Sequence, residues 1–225
     1  MLSFWDNPLS IILLCIIAYK IGLYIYAKTN LAIFNPLFIA IFLIIIFLQK
    51  FNIALTTFEN GGKFINMLLC PATIMLAVPM YKQRLLIKKN LLPIAVGTVF
   101  GSIISMSSIY FACNWLGIDN LVTKSLIPKS TTTPIAIEIS NTLGGIPALT
   151  VAAVIVTGIL GSILFPLIIK VFKMDNSIAS GIAIGTASHA LGSAKAVEIG
   201  EVEAAMSGIA VGVAGIASVI MVLLL

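Results

Sequence analysis

The chain has 225 residues, of which 60% are hydrophobic and 9% are charged, and its net charge is +5. With a mean hydropathy of +1.16, it is too apolar for an ordinary soluble domain and is typical of a protein that crosses a membrane several times. The basic surplus does not indicate a nucleic-acid partner, because most lysines and arginines lie in short loops between apolar runs.

Long apolar runs predict about seven transmembrane helices, and several of them approach or exceed the ~20 residues that cross a hydrocarbon core. In chain order, these spans lie near residues 8–27, 31–49, 62–81, 91–115, 147–171, 178–197 and 204–225. The first run follows no basic segment and precedes no small-residue cleavage site, so we interpret it as a retained helix. We therefore expect an all-α, multi-pass membrane protein.

Basic residues in one loop predict the orientation of these spans. The densest cluster lies at residues 82–89 and belongs in the cytoplasm by the positive-inside rule. Counting spans from this loop predicts an N-terminus outside the cell membrane and a C-terminus inside. Seven spans agree with these positions of the termini only if residues 130–145 do not cross the membrane. We therefore expect this segment to enter and leave on the outer face, as a re-entrant half-helix does.

The sequence of that segment agrees with a short helix. Thr133 is a suitable cap before Pro134, and Gly144 and Gly145 are suitable residues to end the helix. About ten residues make about 15 Å of helix, roughly half a bilayer. The pattern therefore predicts a half-helix.

A weak internal repeat predicts inverted halves. A polar break, a short helix, a charged loop and a Gly-xxx-Gly helix follow Pro71 and again follow His189. We therefore expect residues 1–225 to form a single membrane domain, with 1–115 as the first repeat half and 128–225 as the second. Inverted repeats with discontinuous helices are typical of secondary transporters.

Two segments, from Pro128 to Pro147 and from Gly185 to Glu198, carry polar and charged side chains that loops do not explain. Ionisable groups at membrane depth cost about 2–3 kcal/mol or more and normally face a cavity or an ion path. The predicted substrate-binding residues are Thr131, Thr132, Thr133, Asn141, Gly144, Gly145, Ser188, His189, Ser193 and Lys195. The predicted residues for proton or ion coupling are Glu138, His189 and Glu198.

Each of these assignments has a structural alternative. Free N–H groups at a half-helix start and threonine hydroxyls suit an anion; the alternative is that the threonines only cap the helix and satisfy backbone groups. Imidazole titrates near physiological pH, so His189 either carries a proton or only bonds a neighbouring helix. Lys195 is either the counter-charge of an anionic substrate or a lysine that extends to the interface beside Glu198.

Three motifs are shared with a known family: the runs Pro128–Glu138, Gly144–Pro147 and Gly185–Lys195. Through them the chain strongly resembles the LrgB/CidB family of bacterial membrane proteins, over nearly its whole length. The resemblance implies a protein of the cytoplasmic membrane, often encoded beside a smaller LrgA/CidA-type partner. Members are described as holin- or antiholin-like regulators of murein hydrolase activity and cell lysis, and relatives as carriers of pyruvate, glycolate or glycerate.

The leading hypothesis is a secondary transporter of a small monocarboxylate, coupled to H⁺ or Na⁺, that works by alternating access. The alternative is a holin- or antiholin-like regulator that acts through oligomers or a pore. We expect no enzyme, because the chain lacks Gly-x-Ser-x-Gly, His-Glu-x-x-His and paired intramembrane aspartates. The scattered cysteines predict no disulfide and no metal site. We also expect that the protein has no cofactor, binds no nucleic acid and forms a homo-oligomer.

Overall fold

The computed structural model describes residues 7–29 and 34–224, and all regular secondary structure in these residues is helical. In chain order the helices are α1 (Pro8–Thr29), α2 (Pro36–Lys50), α3 (Leu55–Met67), α4 (Leu69–Lys82), α5 (Arg84–Lys89), α6 (Leu91–Trp115), α7 (Asn120–Leu126), α8 (Thr133–Leu143), α9 (Pro147–Phe172), α10 (Ser177–Ile199) and α11 (Glu201–Leu223). Within the described residues, α1, α6, α9 and α11 are the four helices long and apolar enough to cross a membrane. The chain is therefore an all-helical membrane protein, as predicted.

The predicted number of seven spans is not reached by these criteria. Helix α2 is apolar but has only 15 residues, and the predicted span 62–81 is divided between α3 and α4. Residues 31–33 of one predicted span, residue 225 of another and the N-terminal residues 1–6 lie outside the described residues. The seven-helix count stays a prediction.

The chain divides into two units, residues 1–75 and 76–225. In the first unit, α1 packs against α2 and α3. The α1–α2 contact is close because Gly22 faces backbone: a Cβ there would lie 2.5 Å from the Pro36 carbonyl oxygen. In the second unit, α10 and α11 form the most extensive helix pair, with α6, α8 and α9 packed around them.

Helices α7 and α8 form a hairpin, here called hairpin 1 (residues 120–143). Its base is closed, because the Ile146 N–H donates to Ser125 Oγ at 2.7 Å. The hydroxyl of Thr150 on α9 lies 2.8 Å from both the Ser125 carbonyl and the Ser140 hydroxyl. The two ends of the segment 126–145 are therefore held together beside the start of α9.

The sequence predicted the end of α8 correctly and placed its start one residue too late. Gly144 ends α8 in the left-handed conformation, with φ 73°. The cap is Thr132, one residue before the predicted Thr133. The first arm, α7, was not predicted, and it begins where Asp119 accepts a hydrogen bond from the Leu121 N–H. The reversal therefore lies at residues 127–132 and the excursion begins earlier than residue 130.

Helix α10 is also a hairpin, here called hairpin 2 (residues 177–199), because it folds back at His189. The backbone of His189 has φ 44° and ψ −139°, far from helical values. Ile184 and Ala196 share one core cluster, whereas in a straight helix they would be about 18 Å apart. A Cβ on Gly192 would lie 2.8 Å from the Ile184 carbonyl. The predicted span 178–197 is thus a reversal at His189 and not a straight rod broken at Gly192.

The two hairpins enter the second unit from opposite ends. Glu201, which follows hairpin 2, forms an ion pair with Lys82 at 3.0 Å. At the other end, residues 120–124 of hairpin 1 share a cavity with Met221 and Leu224 at the end of α11. The prediction that the 82–89 loop and the C-terminus lie on the same side is therefore wrong, since α11 runs from one end of the unit to the other.

Candidate functional site

The tip of hairpin 1, residues 127–132, is buried against the middle of α6. Ser130 Oγ lies 2.7 Å from Ser105 Oγ, the fifteenth residue of the 25-residue α6. The hydroxyl of Thr131 donates to the Pro128 carbonyl at 3.0 Å, which satisfies it within the turn. Proline and a hydrogen-bonded threonine fix the shape of this reversal, so its neighbours are held in a defined position.

Lys129 is the charged residue at this tip. Its ammonium group donates to Ser130 Oγ at 3.1 Å, and its side chain is half-buried. In the part of the chain that the structure describes, no carboxylate forms an ion pair with it; the ion pairs there are Lys82–Glu201 and Lys195–Glu198. An ammonium group that is partly withdrawn from water and has no counter-charge favours an anion beside it.

A cavity of about 740 Å³ lies between α6 and hairpin 2 and ends at Lys129 and Ser130. Asn90 and Asn176, where α6 and α10 begin, line its other end. From Asn90 to Ser105 the helical rise is about 22 Å. The cavity thus reaches from the end of the unit that carries Lys82 to the hairpin tip near its middle.

Small residues open this space. Gly97 and Gly101 on α6 face Ile182 and Thr186 on hairpin 2. A Cβ on Gly97 would lie 3.6 Å from Ile182 Cγ2, an ordinary contact, whereas one on Gly101 would lie 2.9 Å from Thr186 Cγ2. The wall of the cavity is therefore mostly apolar, and its hydroxyl and ammonium groups are concentrated at the tip.

His189 forms the tip of hairpin 2 and lies close to the tip of hairpin 1. Its Nε2 is 3.0 Å from the carbonyl oxygen of Val154, so this nitrogen carries the proton, because a carbonyl only accepts. The ring fits because residue 158 is glycine: a Cβ there would lie 2.7 Å from the His189 Cε1. Thr186 and Ala187, just before His189, line the same cavity as Lys129 and Ser130 of hairpin 1. The two tips therefore meet inside the unit.

The structure spreads the sequence-predicted site over several places. Thr131, Ser188 and His189 are buried at the two tips. In sequence, Thr131 follows Ser130 and Ser188 follows Ala187, and both Ser130 and Ala187 line the cavity. Thr132 and Thr133 follow at the start of α8, while Gly144 and Gly145 lie at the base of hairpin 1. Glu138 and Asn141 are exposed on α8. None of these predicted residues is among the described residues that line the cavity.

The second arm of hairpin 2 holds the remaining predicted residues. Ser193 Oγ lies 2.7 Å from Ser207 Oγ and bonds hairpin 2 to α11. Lys195 pairs with Glu198 at 2.6 Å, and its side chain is 25% exposed. The pairing anticipated as the alternative for Lys195 is therefore present. The cavity is lined instead by Lys129, which was not among the predicted site residues.

This arrangement defines a class: a helical membrane protein in which two oppositely directed hairpins meet beside a cavity with a cationic end. The family follows from comparison with known proteins. The model of the LrgB-like family matches residues 15–225. The chain therefore belongs to the LrgB-like family, which confirms the resemblance seen in its sequence.

Individual relatives match over almost the whole chain. The antiholin-like protein LrgB of Bacillus mycoides is 42% identical over 212 residues, which cover 94% of this chain and 92% of that protein. Proteins of the same name from Bacillus cereus and Bacillus anthracis match with the same identity, 42%, and the same coverage. No solved structure matches the chain.

Proposed function

We propose that the chain acts in the cell membrane as an antiholin-like protein and that its molecular activity is the transport of a small monocarboxylate. The names of its relatives support the antiholin-like role more directly than they support transport. Deleting the encoding gene should change murein hydrolase activity and the rate of cell lysis, and the intact gene should restore both. Unchanged lysis in the deletion strain would contradict this role.

The geometry supports transport through one observation, the cavity that ends at Lys129 and Ser130 where the two hairpin tips meet. Discontinuous helices that meet near the middle of a membrane protein are the usual sites of secondary transporters. Here the cavity opens toward one end of the unit, and hairpin 1 closes the opposite end. This is the arrangement of one of the two states that alternating access requires.

Inverted repeats are part of the same proposal. A long helix followed by a hairpin occurs twice in the second unit, as α6 with hairpin 1 and as α9 with hairpin 2. The two pairs point in opposite directions, which supports two related halves that open alternately. Because hairpin 2 returns to the end at which it starts, this scheme has six crossings, with α2 and the α3–α4 segment as further spans, and two re-entrant hairpins. In this repeat α6 and hairpin 1 belong to one half, whereas the boundaries 1–115 and 128–225 expected from the sequence separate them, so those boundaries stay a prediction.

Purified protein in liposomes tests the transport proposal. We expect uptake of labelled pyruvate, glycolate or glycerate that responds to an imposed proton or sodium gradient, with no leak of an entrapped dye. Leak of the dye would indicate a pore, as a holin-like protein would form. If neither uptake nor leak occurs but the deletion strain shows a lysis phenotype, transport is rejected and the regulatory role is kept.

The sequence-predicted site makes a separate forecast in the same assay. If the carboxylate binds at Thr132 and Lys195, the variants Thr132→Val and Lys195→Ala should lose uptake. The predicted coupling residues Glu138, His189 and Glu198 should instead alter the response to the gradient. Normal uptake in both binding variants would reject that site and leave the cavity as the candidate.

The family resemblance also supports partners. We propose a smaller LrgA/CidA-type membrane protein and a homo-oligomer as the assembly in which the chain works. Co-purification of the two tagged proteins from a detergent extract tests the first, and the mass of the purified complex tests the second. No enzymatic step is part of the proposal.

A further inference from the structure

We propose that Lys129 binds the carboxylate of the transported anion, and that Ser105 and Ser130 supply a second donor. This inference rests on the proposed transport function and assigns its anion site to the tip of hairpin 1. Lys129 lines the inner end of the α6–hairpin 2 cavity, and its ammonium group has one described polar partner, Ser130 Oγ at 3.1 Å. A side-chain hydroxyl does not neutralise an ammonium group, so the charge is left for a ligand.

The proton count of the two serines agrees with this assignment. Ser105 Oγ and Ser130 Oγ lie 2.7 Å apart and share one hydrogen bond. Each hydroxyl has one proton, and the bond between them uses one of the two. Ser130 Oγ also accepts from Lys129, which needs only a lone pair. One hydroxyl proton of the pair therefore stays available to a carboxylate beside the ammonium group.

The remaining wall indicates which anions fit. Among the described residues that line the cavity, Lys129 alone is charged, and alanine, isoleucine and glycine form most of the wall facing it. One carboxylate can pair with Lys129, while a second would lie against apolar wall without a partner. Burying an unpaired carboxylate is strongly unfavourable, because it loses hydration and gains no counter-charge. The site therefore favours monocarboxylates over dicarboxylates of similar length.

Lys195 offers the competing assignment, and its surroundings differ. It already forms an ion pair with Glu198 at 2.6 Å and does not line the cavity in the described part of the chain. An anion there would have to displace the Glu198 carboxylate. At Lys129 an anion displaces no carboxylate, so Lys129 is the lysine whose charge a ligand can neutralise.

Ligand binding and uptake, measured on the same preparations, test the assignment. Pyruvate should raise the thermal stability of the wild-type protein in detergent, and succinate should do so less. Lys129→Gln should lose the shift and reduce pyruvate uptake about tenfold or more, since a charge-assisted hydrogen bond is lost. Lys129→Arg should keep part of both. Lys124→Gln, a half-buried lysine of the same hairpin that does not line this cavity, is the matched control.

A charge-restoration experiment covers the case in which Lys129→Gln fails to fold. The native cysteines Cys15, Cys70 and Cys113 are replaced with serine, and Lys129→Cys is introduced. The new thiolate attacks 2-aminoethyl methanethiosulfonate, forms a disulfide to its aminoethylthio group and releases methanesulfinate. The ammonium group then returns to the same position, and pyruvate uptake should recover within one preparation. The neutral methyl reagent should not restore it.

The outcomes separate this inference from the transport proposal. A pyruvate-dependent shift that requires Lys129, without uptake, would keep the anion site and reject transport. Uptake that is unaffected by Lys129→Gln, or reduced more by Lys195→Gln, would reject the anion site and keep transport. Absence of any stabilisation of the wild-type protein by pyruvate would overturn the inference.

Discussion

Ser130 Oγ lies 2.7 Å from Ser105 Oγ, and this contact joins the tip of hairpin 1 to the middle of α6. The bond links residues 25 positions apart in the chain and fixes how deep the hairpin reaches. Since Lys129 precedes Ser130, the same contact sets the position of the ammonium group at the end of the cavity. The depth of this charge therefore depends on the bond between the two hydroxyl groups together with the cluster that contains Met106 and Ile127.

Removal of either hydroxyl should destabilise the protein. We expect Ser105→Ala and Ser130→Ala each to cost about 1 kcal/mol, because a buried hydroxyl is left without its partner. The double variant should cost less than the sum of the two, since the same bond is removed twice. Thermal unfolding in detergent measures this, with Ser108→Ala on the exposed side of α6 as the control. Strict additivity would show that the two hydroxyls do not interact.

The side on which each loop lies can be checked by labelling. Lys124→Cys and Glu201→Cys should react from opposite sides of the membrane, because they lie at opposite ends of the second unit. Lys82→Cys should react from the same side as Glu201→Cys, since the native side chains form an ion pair at 3.0 Å. A membrane-impermeant maleimide applied to cells and to inverted vesicles distinguishes the sides. Labelling of positions 124 and 201 from one side would contradict the fold described above.

The backbone at His189 makes a prediction about strain. With φ 44° and ψ −139°, this residue lies in a region that glycine adopts easily and other residues avoid. Both His189→Gly and His189→Ala remove the ring that bonds the Val154 carbonyl. Only the alanine variant keeps the backbone strain, so it should be less stable than the glycine variant by about 1 kcal/mol or more. Equal unfolding temperatures would indicate that the reversal has shifted away from residue 189.

Two glycines should respond to alanine in opposite ways. A Cβ on Gly158 would lie 2.7 Å from His189 Cε1, so Gly158→Ala should displace the ring and destabilise the protein. Gly212 on α11 has no atom within 4 Å of the added Cβ. Gly212→Ala should therefore stabilise the helix by about 0.5–1 kcal/mol. Unfolding measurements on the two variants compare them directly, and a stabilising Gly158→Ala would contradict the close contact with His189.

Local signals in the sequence were sufficient for some elements and misleading for others. Pro134 and Gly144 predicted α8 because helix starts and ends are set by neighbouring residues. Gly192 was expected only to permit a break in the span 178–197, and the reversal in hairpin 2 was not predicted. It lies at His189, where the contact with Val154, 35 residues away, supports an unusual backbone. A long-range contact of this kind leaves no signal in the local pattern.

The candidate site shows the same division. The sequence indicated the two segments whose tips meet, because polar and ionisable groups at membrane depth are costly and usually belong to a functional site. It named Lys195 as the counter-charge and did not include Lys129, and the short arm α7 was not predicted. Recognising Asp119 as a helix cap would have moved residues 127–132 to a tip. The position of residues 127–132 in the fold thus depends on α7, a helix of seven residues.

The closed base of hairpin 1 limits how this protein can move. Ser125, Ser140 and Thr150 are all fully buried and bonded to one another or to the adjacent backbone. The foot of the hairpin is thus anchored to α9, while its far end contacts α6 through the Ser105–Ser130 bond and a core cluster that contains Met106 and Ile127. If the protein works by alternating access, as proposed, we expect hairpin 1 to tilt about this anchor and not to slide as a whole. In such a tilt the tip with Lys129 moves farther than the anchored base.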